Sequence, residues 1–137
     1  MRAIAALLAL AIAAPAAAAP ELGAGYGEHM VLQRGHPILI AGKAVANGAV
    51  EGDLGGRKVR GRADAEGRFV LTFPASEASA NGVDLTLSDA TGAATWGDIL
   101  IGDVWLCSGQ SNMELSVNRA LNTWNELRLS PDDGLRL

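Results

Sequence analysis

Histidine and cysteine are almost missing from this chain. Its 137 residues hold two histidines, His29 and His36, and one cysteine, Cys107. A single cysteine excludes an internal disulfide framework. No grouping of histidine, cysteine and carboxylates has metal-ligand spacing, so no metal is expected. Aromatic residues make up only 4% of the chain. Tyr26, Trp96, Trp105 and Trp124 are scattered, which is a poor start for an aromatic platform under a glycan. Positive charge is also in deficit: 11 Lys and Arg stand against 15 Asp and Glu, a formal net charge of −4. Nucleic acid is therefore not an expected partner. The basic stretch Arg57-Lys58-Val59-Arg60-Gly61-Arg62 alternates charge with small or apolar residues, as the wet face of a strand does.

Long apolar runs are lacking too, except at the N-terminus. Arg2 is followed by an Ala/Leu/Ile stretch from Ala3 to Ala14, then Pro15 and Ala16-Ala17-Ala18-Ala19. A charged start, an apolar middle and an A-x-A site read as a secretory signal, residues 1–19, with a cut near Ala18. The run is shorter than the ~18 unbroken apolar residues of a membrane span, so no stable insertion is expected after cleavage. The mature chain is expected to be exported, periplasmic or extracellular.

What the sequence does have is short β-like runs cut by glycine. Residues 37–41, 50–54, 58–63, 67–73 and 83–88 are apolar, β-branched or of period two. Asn47-Gly48, Gly55-Gly56, Asp64-Ala65-Glu66-Gly67, Asn81-Gly82 and Thr91-Gly92 read as the hairpin turns between them. This spacing predicts an all-β sandwich over residues 20–96.

The pattern changes near Gly97. Ile99-Leu100-Ile101 and Val104-Trp105-Leu106-Cys107 are apolar without alternation, as in a strand covered on both faces. Cys107 is accordingly expected to be a buried, inert thiol. Residues 114–129 carry apolar positions near helical spacing, ending before Pro131, and Leu135-Arg136-Leu137 resembles a new strand. Residues 97–137 thus read as the first, incomplete βαβ piece of an α/β domain.

Between the strand and the expected helix lies Gly109-Gln110-Ser111-Asn112-Met113. A serine at a strand-to-helix turn is exposed at a sheet end, where following N–H groups can face an oxyanion. Ser111-Asn112-Met113-Glu114 also fits the capping box S-x-x-E, in which the serine merely starts the helix and Glu114 is its partner. Pattern alone leaves both readings open. Asp103 reads as a turn-orienting or sheet-end hydrogen-bonding group, with a triad acid as the alternative. His29 and His36 read as loop or surface residues.

The run from Gly102 through Asp103-Val104-Trp105-Leu106-Cys107-Ser108-Gly109-Gln110-Ser111-Asn112-Met113 to Glu114 resembles the nucleophile block of the sialate O-acetylesterase family, a branch of the SGNH hydrolases. Met30-Val31-Leu32-Gln33-Arg34, Pro37 to Gly42 and the Asp64–Phe69 turn resemble that family's N-terminal β-domain. The resemblance implies an all-β sandwich followed by the first βαβ piece of an SGNH-type α/β/α hydrolase domain. It also implies a carbohydrate esterase that removes O-acetyl groups from sugars. Ser111 would be the nucleophile, with its backbone N–H in the oxyanion hole. Gly109 permits the tight turn, and Gln110 and Asn112 read either as oxyanion hydrogen-bond donors or as residues that support the turn. The family's aspartate and histidine come from a later Asp-x-x-His block that this sequence does not contain. The chain is then expected to be an N-terminal fragment, inactive alone, and no cofactor is implied. The competing readings are a non-catalytic exported binding module and a non-functional truncated product.

Overall fold

The computed structural model describes residues 19–119, 121, 123–126, 128 and 132–136. The signal-peptide expectation falls, but for Ala19, outside the described residues. Among these residues there are eight strands: β1 (Glu21–Leu22), β2 (Val31–Gln33), β3 (Ile38–Lys43), β4 (Ala49–Leu54), β5 (Arg57–Arg62), β6 (Arg68–Phe73), β7 (Ser79–Asp89) and β8 (Gly92–Gly102). They form a three-stranded sheet in the order β1-β3-β6 and a five-stranded sheet in the order β2-β8-β7-β4-β5. The molecule is sheet-rich, with almost no helix among the described residues.

Alternation decides which faces are buried. In β6, Phe69, Leu71 and Phe73 point inward while Arg68, Val70 and Thr72 are exposed. Ile38 and Ile40 of β3 do the same beside them. From the larger sheet come Val50 and Leu54 of β4, Leu85 and Leu87 of β7, and Ile99 and Ile101 of β8. All belong to one core cluster. Each such side chain, fully buried, contributes roughly 1.5–3 kcal/mol. Gly52 lies between Val50 and Leu54, opposite the core side chains of β6. A Cβ there would stand 2.7 Å from Leu71 Cδ1 and 2.9 Å from Phe73 Cζ.

Most of the expected turns form. Gly55 (φ 56°) and Gly56 (φ 87°) join β4 to β5 in the left-handed region that a tight hairpin of this hand requires. In the 64–67 turn, Asp64 Oδ1 accepts from the backbone N–H of Glu66 at 3.0 Å and of Arg68 at 2.7 Å. Asn81-Gly82, by contrast, is no hairpin. It lies inside β7, where the pairing with β8 shifts register between Ser79 and Leu85. The glycine marks an irregularity within one long strand.

Further expectations are corrected from residue 97 onward. The change of character there falls within β8, which runs unbroken from Gly92 to Gly102. Ile99, Leu100 and Ile101 are all buried, as a strand covered on both faces requires, and β8 pairs in parallel with β2 on one side and antiparallel with β7 on the other. Ile99 and Ile101 enter the core, while Leu100 lines a cavity with Ala80, Leu135 and Arg136 on the other face. Val104 to Cys107 form no strand, and Cys107 is exposed, because no neighbouring strand pairs with this stretch. The helix expected over 114–129 is replaced, among the described residues, by short 3-10 turns at Ser111–Glu114 and Val117–Arg119 and one α-helical turn at Thr123–Glu126. Its apolar positions Leu115, Leu121 and Trp124 are exposed, so no burial drives a longer helix. Leu135 and Arg136 are not in a strand, and Leu137 lies outside the described residues. No described helix is long and apolar enough to cross a membrane.

Candidate functional site

Ser111 opens the 3-10 turn that follows the exit from β8. Gln110, not Ser111, holds the N-cap position, with φ −109° and ψ −147°, and no side chain caps the turn. The capping box is therefore not formed, and Glu114 is not a cap partner. The turn closes through its backbone: Met113 N–H donates to Gln110 O at 2.9 Å, and Leu115 N–H to Asn112 O at 3.2 Å. Gly109 lies under Met113. A Cβ at Gly109 would approach Met113 Cγ to 2.9 Å, so the methionine folds back over this position. Gln110, Ser111 and Asn112 are exposed together. The structure thus brings the four sequence-expected residues into one turn with an accessible serine hydroxyl.

No imidazole joins them. Among the described residues, no hydrogen bond involves the Ser111 side chain. His36 is exposed. His29, also exposed, donates Nδ1–H to Asp98 Oδ2 at 2.7 Å. Asp98 also receives Arg136 Nη2 at 3.0 Å. His29 and then Arg136 hold the Asp98 carboxyl below the usual carboxylate range. Arg136 Nη1 reaches the carbonyls of His29, at 3.1 Å, and of Asp98. Both His29 (φ 60°) and Asp98 (φ 54°) are in the left-handed region, which turns their polar groups toward each other. The sequence signal for this cluster was slight: Asp98 follows a glycine, and Arg136 is distant.

Asp103 is at the sheet end. Its Oδ1 accepts from Arg34 Nε at 2.9 Å. That bond and the guanidinium charge hold the Asp103 carboxyl low and raise Arg34. This is the sheet-end hydrogen-bonding role expected for it. Beside it, Gln33 Oε1 accepts from Val104 N–H at 2.9 Å. Sequence reasoning missed both partners. A cavity of about 800 Å³ lies next to this joint, bounded by Tyr26, Met30, Leu100, Trp105, Cys107 and Arg136. Trp105, which lines it, and the neighbouring Leu106 are almost wholly exposed (83% and 94%), an unusual display of apolar surface. Among the described residues, no cluster of His, Cys and carboxylates could hold a metal.

With this geometry the chain can be set beside known proteins. No family model matches it. Sialate O-acetylesterases of Mus musculus and Homo sapiens are each 60% identical to it over 30 residues, 22% of this chain and 6% of the relative. A solved carbohydrate acetylesterase from Xanthomonas citri is 30% identical with a TM-score of 0.76, over 83% of this chain and 26% of that one. The chain thus spans about a quarter of that structure's length, and the matched stretch is a far smaller share of the curated relatives.

Proposed function

We propose, from a chain that is sialate O-acetylesterase-like, that it forms part of an exported carbohydrate esterase removing O-acetyl groups from sugars. The observation that carries this reading is the fold match to a carbohydrate acetylesterase over most of the chain. In this reading the two sheets, through Gly102, are the N-terminal sandwich domain, and the residues after β8 begin the SGNH-type hydrolase domain.

Ser111 is the nucleophile. Its Oγ attacks the acetyl carbonyl carbon while a base takes the hydroxyl proton. The carbonyl oxygen becomes an oxyanion, with the Ser111 backbone N–H among its donors. Collapse breaks the ester C–O bond, the proton passes to the leaving sugar oxygen, and acetyl-serine remains. Water then attacks the acetyl-serine through the same base, releasing acetate and restoring the hydroxyl. The exposed 111–114 turn supports this role, because no described residue buries Ser111. The base is not among the described residues. The resemblance assigns it to an Asp-x-x-His block absent from this sequence, so the 137-residue chain is expected to be inactive by itself.

The test is acetyl-ester turnover by the gene's complete product. Ser111→Ala should lower turnover on the order of 10⁴-fold, as in serine triads. Ser108→Ala should lower it far less. Equal losses at the two serines, or unchanged turnover in Ser111→Ala, would remove Ser111 from this role. Robust turnover by the 137-residue chain, lost in Ser111→Ala, would show that it builds a complete site.

A further inference from the structure

The stretch that leads to the serine turn leaves the sheet from β8, and β8 is held there by a strand far away in sequence. β2 pairs with β8 in parallel, Val31 with Leu100 and Gln33 with Gly102. β2 is only 3 residues long, and so short a parallel ladder gives little register specificity of its own. Side chains supply it. Residues separated by 69 positions meet above and below the ladder: Glu28 Oε2 accepts from Gly97 N–H at 2.7 Å, and His29 Nδ1 bonds Asp98 Oδ2 at 2.7 Å. At the other end Arg34 Nε donates to Asp103 Oδ1 at 2.9 Å, and Arg34 N–H to Gly102 O at 2.9 Å. Gln33 reaches one step further, to Val104 N–H, at 2.9 Å. A slip of two residues would keep every side chain on its face and break all of these bonds.

The last contacts lie where β8 ends and the path to Ser111 begins. Val104 donates its N–H to a side chain because no strand stands beside it. Its direction is therefore set by Gln33, with Asp103 set by Arg34. We propose that Gln33 and Arg34 are positioning residues for Ser111, fixing the direction in which residues 103–110 leave the sheet and so the place of the serine turn. The proposal rests on the serine reading above. It goes beyond that reading in giving two residues of the β-domain a part in the reaction that they never touch.

Two kinds of measurement separate the claims. In the 137-residue chain, amide hydrogen exchange reads the joint at Val104 and the serine turn at Met113, whose N–H bonds Gln110 O. Gln33→Ala and Arg34→Ala should each speed exchange at Val104 roughly tenfold, and exchange at Met113 should rise with it. In the gene's complete product the same variants should lower kcat by up to about 10²-fold with KM held, as a small misplacement of a reacting group does. The exchanged pair Arg34→Asp with Asp103→Arg should regain kcat relative to Arg34→Asp alone. Faster exchange at Val104 with Met113 unchanged would overturn the proposal, because the joint would not reach the turn. So would unchanged kcat in both alanine variants while Ser111→Ala is inactive. An active Ser111→Ala variant would instead defeat the serine reading, whatever the exchange data show.

Discussion

Gly52→Ala is the sharpest test of how the two sheets meet. The added methyl would point from β4 at core residues of β6, 2.7 Å from Leu71 Cδ1 and 2.9 Å from Phe73 Cζ, and would stand 3.4 Å from Leu87 Cδ2 of β7. Leu71, Phe73 and Leu87 are fully buried, so none can swing into solvent. Either the rotamers distort or the sheets part, and overpacking of this kind costs roughly 1–3 kcal/mol. For a body of about 85 residues, 19–103, unfolding entropy near ~2.1 cal/mol/K per residue gives roughly 0.18 kcal/mol/K. The melting temperature should then fall by about 6–17 °C. Thermal unfolding followed by circular dichroism measures this directly. Leu71→Ala alone should cost roughly 2–5 kcal/mol by leaving a cavity. In the double variant the new methyl occupies part of that cavity, so the total should be smaller than the sum by about 1 kcal/mol or more. A shift under about 2 °C for Gly52→Ala, or strict additivity in the double variant, would refute the close approach at this glycine.

Other outcomes follow from the same structure. N-terminal sequencing of exported material should begin near Ala19 or Pro20; an intact Met1 end would contradict export. Gly42→Ala should destabilise more than a surface substitution, since its Cβ would fall 2.1 Å from the Glu21 carbonyl oxygen and detach β1; loss of protection at the β1–β3 amides would report it. Asp103 should titrate below the ordinary carboxylate range, mainly through its hydrogen bond from Arg34, and return toward that range in Arg34→Ala, as read from its carboxyl carbon shift. A depressed carboxylate stabilises the fold fully above its unfolded pKa, near ~3.9, and that contribution is lost only as pH falls through the lower folded value. The β2–β8 joint should therefore hold down to about pH 4 and loosen below it. Limited trypsin digestion should cut after Arg119 before any site within β3–β8, because that arginine is exposed on a short 3-10 turn outside both sheets.

Much of the β architecture was legible because each strand has one wet and one dry face. Arg68 to Phe73 alternates without exception, and its register with β3 follows. The parallel pair was not legible. Val31-Leu32-Gln33 is too short for a period, and its partner lies 69 positions away. Asn81-Gly82 misled because a turn dipeptide and a strand irregularity use the same residue types. Helical spacing over 114–129 misled for a different reason. Periodicity states which face would be buried, not whether anything is present to bury it, and Leu115, Leu121 and Trp124 remain exposed. The serine turn was legible as a turn, through Gly109 and the resemblance. Its anchorage on Gln33 and Arg34 was not, since a side chain that ties off a strand end leaves no periodic trace.

The 69-residue reach between β2 and β8 also has a temporal meaning. A chain made at about 5–20 residues per second leaves Val31-Leu32-Gln33 without its partner for roughly 3–14 s after it emerges. The β4–β5 hairpin, closed by Gly55-Gly56, needs only microseconds once synthesised, on the order of 1–10 μs. Local pairs are thus complete long before the distant one can begin. The turn at Ser111 follows β8 in the chain, so Gln33 and Arg34 wait for Val104 and Asp103 until every other strand has been made.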